Sequence, residues 1–134
     1  MTATIENPKS VFLLGAGLDV LHHESTEWLE TIAFWKDEMR FFDKLLHLSD
    51  PLVSDLKTQR EMLESLERIQ GLILDQLEKE VTEHEKYLAK LERNKDGADW
   101  DYREKHRRLK EEMEALDTDF KDFKKVVFSY VKSL

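Results

Sequence analysis

Residues 102–134 read YREKHRRLKEEMEALDTDFKDFKKVVFSYVKSL. Within them Tyr102, His106, Leu109, Met113, Leu116, Phe120, Phe123, Val127, Tyr130 and Leu134 are spaced by alternating steps of four and three. That 3.5-residue period places every one of them on a single helical seam. The stretch holds neither Gly nor Pro, so nothing interrupts it. At 1.5 Å per residue it predicts a helix about 50 Å long.

The same period extends backward through the chain. Trp28, Ile32, Trp35, Met39, Phe42 and Leu46 form a first seam with 4-3-4-3-4 spacing. Ser49, Asp50 and Pro51 then end one helix and start the next, Asp50 as a cap and Pro51 at a first-turn position that needs no N–H. The second seam runs from Pro51 to about Arg93, through Leu52, Leu56, Gln59, Leu63, Leu66, Gln70, Ile73, Leu77, Glu80, His84, Tyr87 and Leu91. Gly71 lies off this seam, where it costs about 1 kcal/mol relative to alanine without breaking the helix. A break there, giving four helices, is the alternative. Asn94-Lys95-Asp96-Gly97 is a stop signal. Asp99 or Asp101 caps the third helix, Asp101 with Glu104 at capping-box spacing. Short connections make neighbouring helices antiparallel. The expected fold is all-α: an elongated up-down-up bundle of three long helices spanning residues 20–134 as one domain, with residues 1–19 as an N-terminal arm packed over one end.

Composition narrows the functional classes. The 134 residues include only four Gly and two Pro, too few for the turns of a sandwich or barrel. With no Cys, disulfides, thiolate metal sites and a cysteine nucleophile are all excluded. A net charge of −8 argues against a nucleic-acid partner or an anionic membrane surface. The basic run Arg103, Lys105, Arg107, Arg108 and Lys110 is interleaved with Glu104, Glu111 and Glu112, as on a solvated helix face. Residues 11–18, VFLLGAGL, are too few to span a bilayer and lack the positive flank of a secretion signal, so a cytoplasmic location is expected. Gly15-Ala16-Gly17 imitates a dinucleotide fingerprint, but Val20 occupies the third glycine position and no second strand follows. Asp96, Asp99 and Asp101 fit no EF-hand register, and no serine sits in a nucleophile elbow.

Two features do not reduce to a solvated bundle. First, apolar surface exceeds what one seam needs. Phe34, Phe41 and Leu48 form a row beside Trp28, Trp35 and Phe42, and Leu74, Val81 and Leu88 form another beside the second seam. Such surplus marks an interface. It points to a homo-oligomer, a dimer first, or to a protein partner docked on that face. Glu38 falls inside the aromatic stripe, where a carboxylate needs a partner. Antiparallel pairing offers Gln59, Arg68 and Gln70 of the second helix as partners, and Glu38 and Gln70 are the expected buried polar residues.

Second, the histidines cluster. His84 and His106 occupy seam positions on facing helices, within about one turn of the same level. His22, His23, Glu24 and Glu27 enter from the first helix at the same end. Glu80 with His84, and His23 with Glu27, are i, i+4 pairs on one helix face. His84, His106, Glu80, His23 and Glu27 are therefore candidate ligands for Zn or Fe, which accept imidazole and carboxylate donors. The Glu-x-x-His pairs of di-iron bundles and the His-Glu-x-x-His of zinc proteases are both absent. The competing reading is a pair of core-edge histidines hydrogen-bonded to Tyr87, Tyr102 or a glutamate.

His23-x-x-x-Glu27-Trp28, then Phe34, Glu38 and Phe42, then Glu67-x-x-Gln70 resembles a group of small uncharacterised bacterial helical-bundle proteins over residues 23–91. The resemblance implies a bundle fold and weight on Glu38 and Gln70. It implies no reaction. Two functions follow as expectations: a non-enzymatic bundle acting by self-association or partner docking, without cofactor, or a small His/carboxylate metal-binding bundle (Zn or Fe) with a redox or stress role.

Overall fold

A computed structural model describes residues 17–49, 55–93 and 99–134. The arm expected over residues 1–19 falls mostly outside this set, as do the turn signals Asp50-Pro51 and Asn94–Gly97. The described residues are almost entirely helical and contain no strand. Helix α1 spans Leu18–Leu48, α2 Leu56–Arg68, α3 Asp75–Arg93 and α4 Trp100–Ser133, and a π-helical segment, Ile69–Leu74, joins α2 to α3. The described residues thus form three helical rods, the middle one running without a break from Leu56 to Arg93.

Helix α1 begins two residues earlier than expected, at an extended Gly17, and ends at an extended Ser49 whose hydroxyl donates to the Leu45 carbonyl at 2.8 Å. Asp99 precedes α4 but makes no side-chain cap. Its carboxylate pairs instead with Arg103 at 3.1 Å, and the expected Asp101 cap falls inside the first turn.

The α1 seam is buried from Leu21 through Ser25, Trp28, Ile32, Trp35, Met39 and Phe42 to Leu46. In α4, Tyr102, His106, Leu109, Met113, Phe120, Val127 and Tyr130 are buried on the expected period, while Leu134 is exposed. The middle rod departs from its expected seam. Its buried positions are Met62, Leu66, Ile69, Leu74, Leu77, Val81, His84 and Leu88. The step from Ile69 to Leu74 is five residues, the signature of the wider π turn. That extra residue rotates the following helix by about 100°, one residue's share of an α turn. As a result Leu74, Val81 and Leu88, expected on an outward row, lie in the chain's own core and are not available to an interface. Tyr87, expected on the seam, is exposed instead. Gly71 lies in the π segment, and a Cβ added there meets nothing within 4 Å. Gly71→Ala should therefore raise stability by about 0.5–1 kcal/mol in urea denaturation, since alanine narrows the unfolded ensemble at no steric cost. A destabilised variant would show that the π turn depends on glycine.

Contacts between rods keep a consistent order. Along α1 and α4 the numbers rise together: Glu24 pairs with Lys110 at 2.9 Å, Trp35 packs edge-on against Phe120, Glu38 pairs with Lys124 at 3.0 Å, and Phe42 packs on Phe128. Along α1 and the middle rod they run opposite: His22 meets Glu85, Lys36 meets Asp75 at 2.7 Å, and the Leu46 carbonyl accepts from Gln59. The core divides into a long cluster from Trp28 to Tyr130 and a small end cluster of Leu21, Leu88 and Tyr102. No helix among the described residues is long and apolar enough to cross a membrane.

Candidate functional site

Between the two hydrophobic clusters lies a polar layer of three buried side chains, Ser25, His84 and His106. Each comes from a different helix: α1, α3 and α4 respectively. His84 Nε2 lies 3.0 Å from His106 Nδ1, and His106 Nε2 lies 2.7 Å from Glu24 Oε1. The other Glu24 oxygen accepts from Lys110 Nζ at 2.9 Å. Ser25 Oγ sits 3.5 Å from His106 Nδ1.

The direction of this chain follows from donor chemistry. An ionised carboxylate only accepts, so His106 donates from Nε2 to Glu24. A neutral His106 then accepts at Nδ1, so His84 donates from Nε2. The sequence Lys110 → Glu24 ← His106 ← His84 leaves His106 neutral, with Nδ1 free to accept, and a neutral His84 completes it with Nε2 as the donor. Burial favours that state. It pushes His84 down to about 3, helped by the neighbouring His106 and by Lys105. Burial also lowers His106, against the raising influence of Glu24. Burial raises the Glu24 carboxyl, but the hydrogen bonds and charges of Lys110 and His106 together hold it below its ordinary value. The rings are further fixed by stacking, His84 on Tyr102 at 4.1 Å and His106 on Trp28 at 4.4 Å.

Of the candidate metal ligands, the structure brings together His84 and His106. It joins them to Glu24, which the sequence reading placed at this end but left out of the ligand set. His23 and Glu27 pair with each other at 2.9 Å on an exposed face. Glu80 faces Lys105 at 4.0 Å. Glu24 and His84 engage opposite nitrogens of His106, so these three side chains do not converge on one point. Among the described residues no group of three or more His, Asp or Glu side chains is arranged to hold a metal ion. Ser25 and Lys110 were missed. The signal for Ser25 was available: stepping the α1 seam back by three from Trp28 lands on a polar residue level with the histidines.

The second feature is an aromatic groove of about 570 Å³ between α1 and α4. Phe34, Phe41 and Phe42 line it from α1, and Phe128 lines it from α4. Phe34 is 61% exposed, Phe41 56% and Phe128 43%. Leu48 continues the same row at 84%. Asp37 and Glu38 border the groove on the α1 side, Lys124 and Lys125 on the α4 side. Glu38 is bound by Lys124, not by Gln59, Arg68 or Gln70, because its face of α1 meets α4 and not the middle rod. Its Oε1 is buried without a hydrogen-bond partner among the described residues, and so is Gln70 Nε2. Gln70 instead borders a separate polar cleft with Lys36, Arg40, Glu67, Gly71 and Asp75.

No protein-family model, no curated protein and no solved structure matches this chain.

Proposed function

We propose that this chain is a cytoplasmic, non-enzymatic helical bundle that acts by association, with self-association first and docking of a protein partner second. The rods are taken to run up-down-up, in keeping with the order of contacts between them. The observation that carries the reading is the exposed Phe34–Phe41–Leu48 row beside Phe128. Three large aromatic side chains more than two-fifths exposed on one groove are more than scattered surface apolarity accounts for. The alternative, a Zn or Fe site, calls for converging donors. Here both nitrogens of His106 and Nε2 of His84 are taken up in hydrogen bonds within the layer.

The test is a Phe34→Ser/Phe41→Ser double variant examined by light scattering. Both residues are exposed, so the fold is retained, as the circular dichroism spectrum would verify. Loss of two aromatic anchors is expected to weaken self-association by about a hundredfold or more. An association constant equal to that of the unmodified chain would remove the groove from the account.

A further inference from the structure

The groove is charged asymmetrically, and this asymmetry specifies how a second copy would sit on it. Its α1 side carries two acids, Asp37 and Glu38, and its α4 side two lysines, Lys124 and Lys125. Glu38 and Lys124 are spent on each other across the groove. Among the described residues Asp37 makes only an exposed surface pair with Arg40, and such pairs contribute little. Lys125 is exposed on the opposite side. A groove with an acidic and a basic border is complementary to itself when it is turned over about an axis along its own length.

Resting on the association reading above, we infer that the occupant of the groove is a second copy of this chain, related by a two-fold axis parallel to the groove. Rotation about that axis lays α1 of each copy over α4 of its partner while keeping the level along the groove. The contacts within one chain pair Glu38 with Lys124 and Phe42 with Phe128 at matching levels. Asp37 of each copy therefore falls opposite Lys125 of the other. The interface is isologous, so this contact occurs twice. Phe41 of each copy then closes over the partner's Phe128, and Phe34 lies about two turns further along the groove. A two-fold axis across the groove would instead set α1 against α1, acid against acid, and α4 against α4, lysine against lysine. Charge excludes that second arrangement, because like charges brought together at an interface are penalised.

The arrangement makes a pairing prediction that a generic sticky surface does not. Asp37→Lys alone places lysine against lysine at both contacts of a homodimer. Lys125→Glu alone places acid against acid at both. Mixed in equal amounts, the two variants form a heterodimer in which both contacts are oppositely charged. Both residues are exposed, so neither change threatens the fold.

The experiment measures mass by sedimentation for each variant alone and for their mixture, at low salt, with one variant fluorescently labelled. The expected result is a dissociation constant raised at least tenfold for each variant alone and recovery of the dimer in the mixture. Single variants that dimerise as well as the unmodified chain would overturn the two-fold arrangement while leaving self-association standing. So would two weakened variants that do not rescue each other. A monomeric unmodified chain would overturn both.

Discussion

Replacing His106 by alanine is expected to lower the stability of the fold by about 3 kcal/mol. The ring is fully buried and stacked on Trp28. Its removal leaves a cavity in a layer where three helices meet. It also orphans the His84 Nε2 donor and strips Glu24 of one of its two partners. An unsatisfied buried donor costs about 1–3 kcal/mol beyond the packing loss. Urea denaturation reads the difference. Glu24→Gln, which keeps the shape and one acceptor, should cost less, about 1 kcal/mol. A double-mutant cycle between the two positions should show coupling on the order of 1 kcal/mol or more, as for residues in one hydrogen-bond network. A loss below about 1 kcal/mol for His106→Ala would mean the layer is a tolerated interruption of the core and contributes little to holding it together.

Acid should weaken the fold through the same layer. In the folded chain both His84 and His106 titrate below their ordinary value of 6.5, His84 at about 3. The unfolded chain therefore binds more protons across that interval, and stability rises with pH there. The contribution is complete above about pH 6.5 and is lost as pH falls from 6.5 toward 3. For His84 the limiting slope is about 1.4 kcal/mol per pH unit, and His106 adds to it. The groups that face the pair set the size of the effect. Lys105 and His106 oppose a charge on His84, and Lys110 opposes one on His106, while Glu24 and Glu85 favour one. Urea midpoints measured from pH 7 to pH 4 should fall steeply. His84→Phe, which keeps a ring against Tyr102, should flatten that decline even if it shifts the midpoint at pH 7. An unchanged slope in His84→Phe would take His84 out of the acid sensitivity and assign it to His106 and the carboxylates.

How far the sequence could be read depended on whether the helical period was intact. In α1 and α4 the 4-3 alternation runs undisturbed, and the buried residues are the ones it picks out. In the middle rod a single wide turn between Ile69 and Leu74 changes which row faces inward. Neither Gly71 nor the residues around it signal a π turn by composition. Each local row, 73-77-80 or 74-77-81, is a legitimate seam by itself. The choice between them is made by packing against α1 and α4, which lies outside the local sequence. The same limit applies to Glu38. Its need for a partner was visible in the sequence, but whether α1 turned it toward the middle rod or toward Lys124 was decided by helix rotation. The histidine pair was legible because a seam position on each of two facing helices fixes both level and direction. Lys110 was not, because its link to Glu24 crosses between rods whose relative register the sequence leaves open by a turn or two.

Association through the groove stands or falls with the oligomeric state of the unmodified, untagged chain. Sedimentation equilibrium over a wide concentration range at neutral pH is the decisive measurement. A reversible rise to twice the chain mass is the predicted result. A mass that stays at one chain up to the highest concentration reached would contradict it.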